Sequence, residues 1–181
     1  MGVSPATYEQ VALEDGDTTW EYVCGQLREK PSMTQEHNRT MSLLGFLIQS
    51  QLGLGRFTVR TNSAHLRTKA GNSYVPDVVV IPVDLEATQH GTHELETYDG
   101  PVPFVAETWS RSTGAYDADT KIPDYRERGD EEIWRVQPYE KVVTAWRRQA
   151  NGSYVETLHR HGRVLVASLP GVEVDLDTLF S

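Results

Sequence analysis

The spacing of apolar residues changes several times along the chain, and each change marks a new element. Over residues 19–30 (TWEYVCGQLREK) apolar and polar positions alternate, the period-2 pattern of a strand, and Cys24-Gly25 interrupts them, which predicts a short hairpin. Beyond Pro31-Ser32 the period lengthens. Met41, Leu43, Leu44, Phe46, Leu47, Ile48 and Leu52 recur mainly at helical spacing and predict a helix over 34–54, stopped by Gly53 and Gly55. Strand patterns follow at 57–60, 64–67 and 74–81, with a polar turn at Lys69-Ala70-Gly71-Asn72. Residues 82–102 are polar, acidic and aperiodic, as expected of a surface loop with room for a short helix; 103–109 is a second apolar strand. A helical pattern returns over 115–128, with Pro123 in its first turn and Gly129 as its stop. The segments IWRVQ, KVVTAWRR, SYVETLHR and RVLVASL then read as a train of strands turning at Pro138-Tyr139 and Asn151-Gly152-Ser153. The expected fold class is α/β (α+β): a mixed β-sheet flanked by helices, with an N-terminal hairpin and extra C-terminal strands.

A length of 181 residues, 38% of them hydrophobic, suits one domain with one core. No repeat or long Pro/Gly/Ser linker divides the chain, so 1–181 is expected to form a single unit with residues 1–18 at its periphery. Cys24 has no cysteine partner, which excludes an internal disulfide and a CxxC zinc pair and favours the cytoplasm. There is no apolar run of about 18 residues, and residues 1–17 lack the order of a secretory signal, so no membrane association is expected.

Two apolar strand patterns each carry an acid. Asp77 lies within VPDVVVIPV and Glu107 within PVPFVAETW, and an ionised carboxylate in such surroundings needs a partner or a metal. Lys121 follows on the next helical pattern. Two acids and an ammonium are what phosphodiester hydrolysis uses: carboxylates hold a divalent cation against an anionic phosphate, and the ammonium orients water or stabilises phosphoryl charge. Mg²⁺ or Mn²⁺ suits such oxygen ligands. The formal charge of −9 opposes a simple nucleic-acid binder, although Arg60, Arg67, Lys69, Arg126, Arg128, Arg147 and Arg148 could form a local basic surface. Asp117, Lys121 and Tyr125 recur every four residues and share one helix face, where Asp117 can orient Lys121; a solvated surface pair has the same spacing. His90 with His93, and His159 with His161, lack a third metal partner and read as surface residues. Trp134, Trp146, Tyr116 and Tyr125 fit a core better than a base-stacking platform.

Several stretches together carry a resemblance: Trp20-Glu21-Tyr22-Val23-Cys24-Gly25, His37, Val75-Pro76-Asp77, the run from Val105 to Thr113 around Glu107, Asp117-x-x-x-Lys121-x-x-x-Tyr125-x-x-x-Gly129, Glu132-Ile133-Trp134, Pro138 and Leu169-Pro170-Gly171. Over nearly its whole length the chain resembles the Uma family of restriction endonucleases, within the PD-(D/E)XK (restriction-endonuclease-like) nuclease superfamily. The resemblance implies a four- or five-stranded mixed sheet between helices, Asp77 and Glu107 as metal ligands, and Lys121 as the catalytic lysine moved onto the next helix, since Trp109 stands where the superfamily places it. Glu21 and His37 match family positions near the site and join Asp117 and Tyr125 as supporting residues. Cys24, Gln137 and Asp130 depart from the family pattern. The implied activity is a Mg²⁺- or Mn²⁺-dependent endonuclease acting on DNA, for which a homodimer would serve the two strands of a duplex. The alternative is a catalytically inactive nuclease-fold binding or scaffold module acting with a partner, because no DNA-reading appendage is recognisable. Two-carboxylate glycoside hydrolysis would leave Lys121 without a role.

Overall fold

The computed structural model describes residues 2–53, 55–110, 116 and 120–181. Helix α1 (Pro5–Glu14) starts at the Ser4 cap and is anchored by its buried residue Tyr8. The hairpin of β1 (Trp20–Val23) and β2 (Gln26–Glu29) follows, and its two-residue turn uses left-handed backbone at both Cys24 (φ 50°) and Gly25 (φ 78°). Such a turn matches the right-handed twist of the flanking strands. Helix α2 (Gln35–Gln49) opens on the Thr34 side chain, which accepts from the His37 amide. It ends earlier than the hydrophobic spacing implies, because its last apolar position, Leu52, packs from the turn beyond it.

The central sheet has six strands in the order β11-β10-β9-β8-β6-β3. These are β3 (Phe57–Thr61), β6 (Val78–Pro82), β8 (Phe104–Thr108), β9 (Glu132–Gln137), β10 (Val142–Arg148) and β11 (Tyr154–His159). β8 and β9 run parallel and all other neighbours antiparallel, so the sheet is mixed as expected, and wider than the four or five strands that the resemblance implies. Alternation along the strands sorts two cores. Val78, Val80, Phe104, Ala106, Trp134 and Val136 meet Leu44 and Ile48 of α2 and the C-terminal segment on one face. Val79, Ile81, Val105 and Ile133 meet Ile122 and Tyr125 on the other. A strand buried on both faces reads as a continuous apolar run, as Val78–Pro82 does.

A second sheet, in the order β2-β1-β5-β4-β7, adds β4 (His65–Arg67), β5 (Ser73–Tyr74) and β7 (Thr97–Tyr98) to the hairpin. It revises the sequence reading at two places. The pattern at 74–81 is not one strand: β5 and β6 belong to different sheets, and Val75-Pro76-Asp77 crosses between them, where Pro76 has no amide proton for a ladder. The segment 82–102 supplies α3 (Val83–Glu86) and β7, a strand too short to leave a periodic signature. Helix α4 (Ile122–Arg128) carries Pro123 in its first turn and ends at Gly129 in left-handed backbone (φ 91°). β12 (Arg163–Leu165) and β13 (Glu173–Asp175) form a separate pair, and α5 (Leu176–Leu179) closes the first core. Among the described residues no helix is long and apolar enough to cross a membrane.

Candidate active site

Glu21, Lys30, His37, Asp77, Glu107 and Lys121 line one small cavity whose central void is about 10 Å³, about the space of a single water-sized sphere. Six separate stretches of chain deliver them. Glu21 comes from β1, Lys30 from the end of the hairpin, His37 from the first turn of α2, Asp77 from the crossing between sheets, Glu107 from β8 and Lys121 from the N-cap position of α4.

Asp77 accepts on both carboxylate oxygens. The Lys30 ammonium donates to Oδ1 at 2.7 Å, the Thr108 amide donates to Oδ2 at 2.7 Å, and His37 Nε2 lies 3.0 Å from the same oxygen. Burial pushes the carboxyl's pKa up, but Lys30 and the hydrogen-bonded His37 outweigh it and hold Asp77 well below the usual carboxylate range. Because Thr108 follows Glu107 directly, the amide that ties down Asp77 also fixes its distance from the second acid.

Glu107 and Glu21 meet at Lys121. The ammonium lies 2.8 Å from Glu21 Oε1 and 3.3 Å from Glu107 Oε1, and the Tyr125 hydroxyl donates to that same Glu107 oxygen at 2.6 Å. Lys121 and Tyr125 thus act from one face of a helical turn, as their spacing implies. Glu21 Oε1 also accepts from the Val75 amide at 3.0 Å, which stitches β1 to the crossing that carries Asp77. The other supporting residue, Asp117, lies outside the described residues, as do Arg111–Thr113 of the matched run.

The tertiary structure adds two cations that sequence reasoning missed. Lys30, its side chain only 7% exposed, donates to Asp77 and to the Val75 carbonyl, both at 2.7 Å. The Arg28 guanidinium lies over the Tyr116 ring, 3.3 Å from its centroid, at the cavity wall. Neither carries a sequence signal, because charged residues near a hairpin end are ordinarily solvated. The expected basic surface is only partly available: Arg60 pairs with Glu86 and Glu96, Arg67 with Glu9, and buried Arg128 with Asp130 and three backbone carbonyls. Arg147 and Arg148 line a separate groove, and Arg126 lies over Tyr154. His90, His93 and His161 are exposed, His159 partly so, and Trp134 is wholly buried.

No group of three or more His, Cys, Asp or Glu gathers at metal-ligand spacing among the described residues, which is not the closed donor cage of a structural zinc. Asp77 and Glu107 are the kind of oxygen donor a hard cation takes, since Mg²⁺ is usually held by one or two carboxylates plus substrate oxygens. A void of about 10 Å³ admits one water-sized body, so retained waters would have to lie outside it.

A mixed sheet between helices, with paired acids and an ammonium gathered beside its parallel strands, is a restriction-endonuclease-like architecture. The family described as "Uma2: Putative restriction endonuclease" matches residues 5–177, and the chain belongs to that family. Among solved structures, the chain is similar to a crystal structure described as a "putative nuclease belonging to DUF820 from Anabaena variabilis ATCC 29413", with a TM-score of 0.74 and 17% identity over 91% of this chain and 90% of that one. That likeness establishes the fold. No curated protein matches the chain. Family membership supports a nuclease activity in general terms.

Proposed function

We propose that this protein is a Mg²⁺- or Mn²⁺-dependent endonuclease that hydrolyses phosphodiester bonds in DNA. The observation that carries the proposal is the convergence of Asp77, Glu107 and Lys121 on one small buried cavity. Asp77 and Glu107 are the metal ligands. A divalent ion held there would neutralise the scissile phosphate and make a bound water a competent nucleophile near neutral pH. Lys121 orients the attacking water and stabilises charge on the phosphoryl oxygens. Glu21 and Tyr125 hold the ammonium and the Glu107 carboxylate in place, and His37 with the Thr108 amide fixes the Asp77 rotamer. A homodimer would supply one such site to each strand of a duplex.

Nicking of supercoiled plasmid tests the reading. Wild-type protein with Mg²⁺ or Mn²⁺ is expected to relax the plasmid, and Glu107→Gln and Lys121→Ala to lose about a hundredfold or more in rate, the scale on which a single stabilising group acts. Unchanged rates in both variants would overturn the assignment.

The charge balance favours a second reading. Asp77 pairs with Lys30, and Lys121 bridges Glu21 and Glu107, so most of the buried negative charge is matched without any metal, as suits a nuclease fold kept as a binding or scaffold module. Calorimetry with Mn²⁺ separates the two. Binding that disappears in Asp77→Asn supports the enzyme, and absence of binding in both the wild type and Lys30→Gln, which removes the ammonium on Asp77, supports the module.

A further inference from the structure

We infer that Lys30 is a displaceable counter-cation that competes with a divalent ion for the carboxylate of Asp77. The inference rests on the metal-dependent reading above and concerns how that site is loaded.

The geometry of Asp77 leads to it. Oδ2 is engaged twice, by the backbone amide of Thr108 and by His37, whose own main chain is fixed by the Thr34 cap of α2. The Thr108 amide cannot withdraw without disturbing β8, and the His37 ring is held among buried neighbours. Oδ1 has a different partner, an ammonium on a flexible four-carbon stem. A divalent ion that takes Asp77 as a ligand therefore meets Lys30 at the oxygen held by the longer and more flexible side chain. At 2.7 Å from that oxygen the ammonium takes one of its lone pairs, and its charge opposes a second cation drawn to the same carboxylate.

The surroundings give Lys30 somewhere to go. It lies on the wall between the small cavity and a neighbouring open cleft of about 310 Å³, and that cleft is also lined by Asp17 and Glu29, both exposed acids. Rotation about the stem takes the ammonium out of the cavity towards solvent and those carboxylates, so its charge need not be left unpaired in an apolar place. Until then Lys30 does for Asp77 what the ion would do later: it keeps a fully buried carboxylate ionised. Lys121 is placed differently, since it bridges two acids and remains beside Glu107 in its role on the phosphate.

This makes Lys30 a positioning residue. Removing a like charge beside the site is expected to tighten metal binding roughly tenfold or more, the range over which a neighbouring charge shifts a protonation equilibrium. Titration calorimetry with MnCl₂ would be run on wild type, Lys30→Met, Lys30→Gln, Lys30→Arg and Asp77→Asn, with thermal unfolding followed in EDTA and in excess Mn²⁺. Lys30→Gln keeps an amide donor for Asp77 and so guards against loss of the fold. The expected result is tighter Mn²⁺ binding in Lys30→Met and Lys30→Gln, near wild-type binding in Lys30→Arg, and none in Asp77→Asn. Unfolding midpoints of the two neutral variants should fall in EDTA and rise more than the wild type's on adding Mn²⁺. A purely structural lysine would lower the midpoint without tightening the ion. Equal or weaker binding in the folded Lys30→Gln protein would overturn the inference while wild-type binding abolished by Asp77→Asn kept the metal site. Absence of binding in wild type and both neutral variants would overturn both.

Discussion

At Asp77 three donors converge on one carboxylate buried to 1% exposure, and the reason is electrostatic: an ion withdrawn from water persists only when its lone pairs are occupied and its charge is matched. His65 illustrates the opposite solution, a titratable ring kept neutral. It shares a hydrogen bond of 2.6 Å with the Tyr8 hydroxyl, and burial holds its pKa down at about 4, against 6.5 for the free side chain. Between these values the unfolded chain binds a proton that the folded chain does not, so stability rises with pH across the window and is lost as the pH falls from 6.5 through about 4. The full window corresponds to about 3 kcal/mol. Asp130 works against it, since burial pushes its carboxyl up to about 6 and the folded chain keeps that proton as the pH rises from 3.8. Denaturant unfolding of wild type and His65→Gln at several pH values isolates the histidine, because the Asp130 contribution is common to both. The difference between the two proteins is expected to shrink as the pH drops from 6.5 towards 4; a constant difference would show that the ring is not held neutral.

Helix α2 bears a similar local conflict at the scale of an element. Gly45 sits in its interior, where glycine is about 1 kcal/mol less favourable than alanine. A Cβ there would come within 2.7 Å of Thr61 Cγ2 on β3, so the residue is small because helix and strand approach closely. Overpacking of that kind costs about 1–3 kcal/mol and outweighs the gain in propensity. Gly45→Ala is therefore expected to lower the unfolding midpoint, and adding Thr61→Ser, which removes the obstructing methyl, to restore it. A rise in the midpoint of the single variant would mean that the contact is not tight. The same close packing brings the first turn of α2, and with it His37, against Asp77.

At the scale of the whole molecule, the charge is −9, and the engagement of Arg60, Arg67 and Arg128 with acids reduces the basic surface to residues such as Lys69, Arg126, Arg147 and Arg148, which are exposed. Non-specific affinity for duplex DNA is set by the number of phosphates neutralised, with a logarithmic salt slope of about −0.9 per contact. For the Glu107→Gln protein in EDTA, which leaves DNA intact, fluorescence anisotropy against salt concentration is expected to give a slope shallower than about −3, equivalent to about three contacts. A slope steeper than about −5 would show that the exposed basic residues act together on the phosphates. The shallow slope would agree with the metal-dependent enzyme proposed above, because cations placed between the acids and the phosphate would reverse the local field.

Periodicity alone marked the β1–β2 hairpin, α2, β3, β8 and the C-terminal strand train, because each spans several residues whose apolar and polar positions recur at a fixed period. The two buried acids, Asp77 and Glu107, were legible for a related reason: an acid in an apolar run is conspicuous wherever it ends up. Lys121 and Tyr125 could be grouped because helical spacing is local. Short elements such as β7, and the break that puts β5 and β6 in different sheets, left no period to read. Lys30 was invisible in the same way, since a lysine beside a hairpin end differs from a solvated one only through what the fold brings to it. Sequence determined which residues are apolar, which are charged and how each short stretch repeats. Tertiary structure alone decided which of those charges face one another, because ion pairing depends on distances between segments far apart along the chain.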